Sequence, residues 1–350
     1  MLEVAEKMSK LPGTSGGKLL QFLSPVLEGR DQISEVAKIT DVSNLYKFRD
    51  ESLHAFTNLH RVNDIRGINH FLRTVNRKLH RGGSFVGCVE TLEQRKNRLF
   101  KKFPKVVNAG YYGLDFVFKR IFPKFRLTEK IYFSLTNGRN RALSKSEVLG
   151  RLVYCGFEIR KVEEINNMLY FKAEKIGKPS KDPKPSTGIL LRINRIGHCG
   201  KPIVVYKFRT MHPYAQYIQQ YVFEQNHLQE GGKFANDFRI TKWGRWMRKF
   251  WIDEIPMIYN ILRGDLKLVG VRPLSEHYLS LYTAEHKSLR VQGKPGLIPP
   301  FYADMPKNLD EIMESESRYI RAYVQDPWST DLSYGVKAFQ NIFLNKARSH

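Results

Sequence analysis

The chain has 350 residues, of which 42% are hydrophobic and 12% aromatic, enough for two folded domains with buried cores. Its 58 Lys and Arg against 34 Asp and Glu give a formal charge of +24, which calls for an acidic partner: a nucleic acid, an anionic lipid surface or a phosphorylated substrate. Cys88, Cys155 and Cys199 share no close spacing, which excludes a disulfide framework and a zinc cluster and suits a reducing cytosol; no run reaches the roughly 20 apolar residues of a spanning helix.

From the N-terminus, "INHFLRTVNRKLH" (Ile68 to His80) carries apolar residues at helical spacing and ends at Gly82-Gly83, read as a helix stop. "SFVGCVET" (Ser84 to Thr91) reads as a buried strand. Tyr111 to Phe125 mixes aromatics with Lys119, Arg120 and Lys124, and fits either an interfacial segment or a core helix with basic exposed positions. Ser144 and Ser146 precede a helix stopped near Gly156, followed by "EIRKVEEINN" and the strand-like "MLYFKAEK". Pro179, Pro183 and Pro185 then mark a linker. The sequence therefore divides into an α/β domain over residues 1–175, a proline-rich linker over 176–187 and a second domain over 188–350.

In the second domain, "GILLRINRIGHCGKPIVVYKFRTM" (Gly188 to Met211) gives two strands joined by a Gly197 to Gly200 turn. Lys207 and Arg209 alternate with aromatics, so an extended chain turns both cations to one face, suited to phosphate oxygens or to a solvated edge. "WGRWMRKFW" (Trp243 to Trp251) is an amphipathic basic helix holding three of the four tryptophans, compatible with a membrane surface or with core packing. Asp253 and Glu254 come next, just before Pro256 and a helix "MIYNILRG" stopped by Gly264. Alone, such a pair reads as helix capping. Crowded by Arg239, Lys242, Arg245, Arg248, Lys249, Arg263 and Arg272, it reads as phosphate chemistry, with carboxyls held below their ordinary range.

Two resemblances add to this reading. The order of elements before residue 175 resembles the second half of a Rossmann-like S-adenosylmethionine-dependent methyltransferase. Its glycine-rich cofactor turn is wanting, because "LPGTSGGKLL" (Leu11 to Leu20) follows no strand-like run, so a degenerate, non-catalytic domain is expected. From about Gly188 to Phe343, "YKFRTM", "DFRITKWGRWMRK", "IDEIP", "NILRGDLKLVGVRPL" and "KPG" occur in the order of the bacterial sugar transferase family, the monotopic polyprenol-phosphate phosphoglycosyl transferases. The fold implied is mixed α/β: the degenerate domain, then a helix-rich domain with a small sheet and amphipathic surface helices.

The second resemblance implies transfer of a sugar 1-phosphate from a UDP-sugar to a membrane polyprenol phosphate, with release of UMP, in cell-surface polysaccharide assembly. It implies Asp253 as nucleophile, Glu254 as a ligand of Mg2+, and Lys207, Arg209, Arg239, Arg245, Arg248 and Arg272 as phosphate contacts. It also implies an anionic membrane surface as partner, no nucleic acid, a homodimer as an allowed state, and a peripheral or monotopic place on the cytoplasmic face of the inner membrane. The sequence departs from the family in two places. The segment before Gly188 is too polar for the usual re-entrant helix, and "KPGLIPPFYADMP" (Lys294 to Pro306) replaces the usual sugar loop. Two other classes compete: a basic nucleic-acid-binding protein, and a methyltransferase of glycans or lipids acting through the first domain.

Overall fold

The structure is a computed structural model and describes residues 17–19, 21–23, 34–37, 41–102, 104–124, 126–182, 185, 188–226 and 237–343. The glycine-rich stretch up to Gly16 lies outside them. The chain forms two compact units, residues 1–187 with 212–225, and residues 188–211 with 226–350.

The first unit is built on five strands, β1 (Ser34–Ala37), β2 (Leu53–Arg61), β3 (Leu79–Val89), β4 (Phe157–Ile165) and β5 (Met168–Lys175), in the order β1-β2-β3-β5-β4. The first three run parallel, and β5 is antiparallel to both its neighbours. Parallel neighbours need a crossover. Between β2 and β3 it is α1 (Ile68–Lys78), whose Ile68, Phe71, Leu72 and Val75 are buried. The β4–β5 hairpin turns at Asn166 and Asn167, both left-handed with φ of 52° and 58°, the conformation a tight two-residue hairpin turn requires. Phe85 centres the core, with the rings of Phe56, Phe71, Phe157 and Phe171 at 5.5–6.2 Å.

Gly82 and Gly83 do not stop the helix. The chain passes directly from Lys78 into β3, and Gly82, at φ 82°, lies where the β2–β3 register slips between Leu53↔Leu79 and Ala55↔Ser84. The glycines serve a strand irregularity, where an extra residue needs left-handed backbone.

Helices α2 (Leu92–Lys102), α3 (Lys105–Phe116), α4 (Arg126–Thr136) and α5 (Lys145–Tyr154) complete this part of the chain, with Ser144 capping α5 by accepting from Glu147 N. At the carboxyl ends of the parallel strands, where open α/β sheets hold ligands, Glu90 is buried against Arg98 at 2.5 Å and Arg95 at 3.4 Å, and Arg95 grips Asp115 twice at 2.6 Å. These charged groups pair with one another.

Two boundaries drawn from sequence shift. Residues 212–225, including most of α6 (Gln219–Asn226), pack in the first unit: the rings of Tyr214 and Tyr217 meet Tyr154 edge-on and tilted at 5.4 and 5.2 Å, and a Cβ on Gly150 would stand 2.3 Å from Tyr214 O. The segment after Lys175 is no free linker as far as Asp182. Ser180 N donates to Tyr154 O at 2.8 Å, and Tyr154 Oη–H donates to Asp182 O at 2.6 Å.

The second unit is helix-rich with two small sheets. β6 (Leu190–Ile196) and β7 (Pro202–Phe208) pair antiparallel from Leu190↔Phe208 to Ile196↔Pro202. After them come α7 (Lys242–Lys249), α8 (Met257–Leu262) and β8 (Lys267–Val269). Short helices α9 (Glu276–Ser280) and α10 (Ala284–Arg290) lead to β9 (Gly296–Ile298), parallel to β8. The chain closes with α11 (Phe301–Asp304), α12 (Leu309–Gln325) and α13 (Pro327–Phe343). A Cβ on Gly296 would stand 2.2 Å from Gly270 N, so the glycine of "KPG" permits the β8–β9 approach. Val205, Met257 and Leu266 form one small core, and Val269, Val271, Tyr319 and Ile320 another. Among the described residues no helix is long and apolar enough to cross a membrane.

Candidate active site

Asp253 and Glu254 lie in a single 3-10 turn, Ile252–Glu254, between α7 and α8. Trp251 before it takes a left-handed φ of 61°, which turns the chain sharply at the end of α7. That conformation is uncommon for a bulky residue and is held by packing. The Trp251 ring lies 4.7 Å from Tyr302. Behind the turn, fully buried Asn260 of α8 donates Nδ2–H to Val204 O at 2.7 Å and accepts from Tyr206 N at 3.0 Å. It fixes α8 to β7 and hence the acid pair to Lys207.

Both residues are buried, each 8% exposed. Glu254 Oε1 accepts from Lys207 Nζ at 2.5 Å. Asp253 Oδ1 is buried without a hydrogen-bond partner, an uncommon state for a native carboxylate. Burial, and then the neighbouring Glu254 charge, push the Asp253 carboxyl above its ordinary range, outweighing the Lys207 and Arg248 charges. This reverses the sequence expectation of a depressed value. Cations near in sequence lower a carboxyl only if they reach it, and desolvation of a crowded pair acts the other way.

The six expected phosphate contacts separate in space. A cavity of about 340 Å³ in the second unit is lined by Lys207, Glu254, Arg272 and Arg195, among others. Asp253 is not in its lining, but adjoins Glu254, which is. Arg248 turns inward, donates Nε–H to Thr210 Oγ1 at 2.9 Å, and feels the charges of Asp253 and Asp237; burial lowers its pKa. Arg239 is buried and clasps Asp237 through Nε and Nη2 at 2.9 and 2.7 Å. Arg209 lies beyond the end of β7, and its Nε–H donates to Gly188 O at 2.7 Å. Arg245 is exposed on α7. The structure therefore gathers Lys207, Arg248 and Arg272 around the acids, and leaves Arg209, Arg239 and Arg245 engaged or apart.

Sequence reading missed three contributors. Arg195 on β6 lines the cavity, and burial followed by the Arg272 charge lowers its pKa. Glu316 lines the cavity as well, and its buried ion-pair partner Arg290 also donates to the Arg272 carbonyl, holding that segment of backbone. Phe301 and Tyr302, from the departing "PPFY" loop, complete the lining. The only sequence signal was the aromatic pair after two prolines.

Thr241 caps α7 by accepting from Gly244 N at 2.8 Å, and its own N–H and hydroxyl donate to Thr210 O at 2.9 and 3.0 Å. Gly244 faces that carbonyl. The outer side of the helix presents Trp243, 72% exposed, with Trp246 and Phe250. Ile255, Ile258, Leu262, Trp328, Leu332 and Phe339 are exposed as well. Core packing holds for Trp251 alone, against Tyr302, and not for Trp243 and Trp246.

Residues 182–344 match the bacterial sugar transferase family. This region is similar to an uncharacterized sugar transferase of Bacillus subtilis (43% identity over 103 residues, 29% of this chain and 45% of that protein). It is also similar to a galactosyl transferase of Streptococcus agalactiae (35% over 134 residues, 37% and 30%) and an undecaprenyl-phosphate galactose phosphotransferase of Salmonella typhimurium (34% over 108 residues, 29% and 22%). The chain spans less than half the length of each of these relatives. Among solved structures, a putative methyltransferase of Bacillus halodurans aligns at 12% identity and TM-score 0.25, covering 45% of this chain and 99% of that one. A methyltransferase of Thermotoga maritima aligns at 14% and TM-score 0.24, covering 37% and 58%. Scores this low assign no activity to the first unit.

Proposed function

We propose that the protein is a phosphoglycosyl transferase that moves a sugar 1-phosphate from a UDP-sugar to a membrane polyprenol phosphate, as a step in polysaccharide assembly on the cytoplasmic face of the inner membrane. The observation that carries this reading is the unpartnered, buried Asp253 Oδ1 beside a cavity lined by Lys207, Arg195 and Arg272. A carboxylate with a raised pKa and an unused lone pair is a better nucleophile than one locked in an ion pair. In the first step Asp253 forms a bond to the β-phosphorus, and the bond to the α-phosphate breaks with its electrons leaving on UMP. In the second, a polyprenol phosphate oxygen attacks the same phosphorus, and the Asp253–phosphorus bond breaks to return the carboxylate.

Lys207, Arg195 and Arg272 offset the diphosphate charge as it shifts to the leaving group. The donor set also fits Mg2+, which takes one or two carboxylates and completes its shell with substrate phosphates. No group of three or more metal-ligating side chains occurs among the described residues, so Glu254 would hold the ion together with the phosphates of the sugar donor, and it would supply charge neutralisation. The exposed tryptophans and phenylalanine of α7 suit an interface where a lipid acceptor arrives. A screen of UMP release over UDP-sugars, with Mg2+ and a short polyprenol phosphate in detergent, tests the reading. Acceptor-dependent UMP from at least one donor is expected; none from any donor would defeat it.

A further inference from the structure

The first unit carries a surface that the transferase chemistry does not explain. Helices α3 and α4 are each packed on one side only. Inward, Tyr112 meets Phe100 and Phe116 at 6.0 and 6.2 Å, Asp115 pairs with Arg95, and Phe118 meets Tyr132 at 5.5 Å. Outward, Val107, Tyr111 and Leu114 on α3 recur at helical spacing and are exposed, with Val106 beside them at 93%. Leu127, Ile131 and Leu135 form the same kind of stripe on α4, with Leu127 90% exposed. Two apolar stripes on one helical excursion exceed the scattered exposed leucines of an ordinary surface.

Charge decides what covers them. Residues 92–136 hold eleven Lys and Arg against three acids; Lys130 is exposed on α4, and Lys101 and Lys102 are exposed at the end of α2, just before α3. A second copy of the chain would bring two such lysine-rich surfaces together, and the cores of protein interfaces are depleted in lysine. An anionic bilayer offers both terms at once, with acyl chains for the stripes and headgroup charge for the lysines, each well-placed cation adding about 1 kcal/mol. We infer that the outward faces of α3 and α4 dock the first unit onto an anionic lipid surface. This deepens the proposed function, since it rests on a protein that works at a membrane.

The test uses the full chain with Leu114→Glu, Leu127→Glu and Leu135→Glu combined. All three positions are exposed, so the fold does not depend on them. Co-sedimentation with phosphatidylglycerol/phosphatidylcholine vesicles is measured beside light scattering for oligomeric state and UMP release in detergent. Binding is expected to fall roughly tenfold, and any loss beyond about threefold supports the inference. Binding within about threefold of the unmutated chain overturns it, as does a dimer that becomes a monomer with vesicle binding kept. If vesicle binding falls but the unmutated chain releases no UMP in detergent, the docking stands and the transferase reading alone fails.

Discussion

Replacing Gly244 with alanine should damage the candidate site without touching a charged group. A Cβ there would stand 2.0 Å from Thr210 O, 2.7 Å from Thr210 C and 2.8 Å from its Cα, where about 3.4 Å is an ordinary contact. The obstacle is backbone, so no side chain can swing away, and α7 must retreat by roughly an ångström or more. Retreat strains the two Thr241 hydrogen bonds to the same carbonyl and the Arg248 bond to Thr210 Oγ1. Overpacking of about 1–3 kcal/mol plus about 1 kcal/mol for weakened hydrogen bonds, less about 1 kcal/mol of alanine helix propensity, leaves a net loss of about 1–3 kcal/mol. Urea unfolding measures that loss. UMP release should fall by roughly tenfold or more, because Trp251 and the acid turn follow α7 directly. Wild-type stability and turnover in Gly244→Ala would refute the argument that this close approach sets the site.

Three further outcomes follow from other residues. Arg290→Met strands the buried Glu316 carboxylate and frees the Arg272 carbonyl, so it should destabilise the second unit by about 3–5 kcal/mol in urea, with Glu316→Gln added recovering much of it. Arg272→Ala should lower kcat/KM for UMP release by about 100-fold or more, whereas Arg245→Ala, exposed on α7, should stay within about threefold. Burial pushes His212 down to about 3, so the folded first unit keeps it neutral while the unfolded chain protonates it near 6.5. Its stability contribution is intact above pH 6.5 and lost as pH falls; between pH 6.5 and 5.0 the loss approaches about 2 kcal/mol, and His212→Asn should flatten that part of the stability profile.

The residues show why some of this was legible and some was not. Periodicity and turn chemistry found β6, β7, α5, α7 and α8, because each needs only local information: a Ser144 cap, a Gly200 or Gly264 with positive φ, an apolar stripe. Gly82-Gly83 misled, since a left-handed glycine after a helical run serves a strand irregularity as well as a helix stop. The acid pair was legible through its motif, but its electrostatics were not. Arg239 is spent on Asp237 two residues away and Arg245 points to solvent, while the cation that matters beside Arg272 is Arg195, on a strand over seventy residues upstream. Asn260 was unreadable for the same reason, as its role depends on β7 lying alongside. Residues 212–225 joined the first unit through tyrosine packing that no compositional break announces.

The central claim is that Asp253 forms a bond to the transferred phosphoryl group. Intact-protein and peptide mass spectrometry after brief incubation with the UDP-sugar that supports UMP release, with Mg2+ and without acceptor, addresses it directly. The account predicts a sugar-phosphate adduct on the peptide containing Asp253, discharged by polyprenol phosphate and absent in Asp253→Asn. An adduct on another residue, or undiminished turnover in Asp253→Asn, would contradict it.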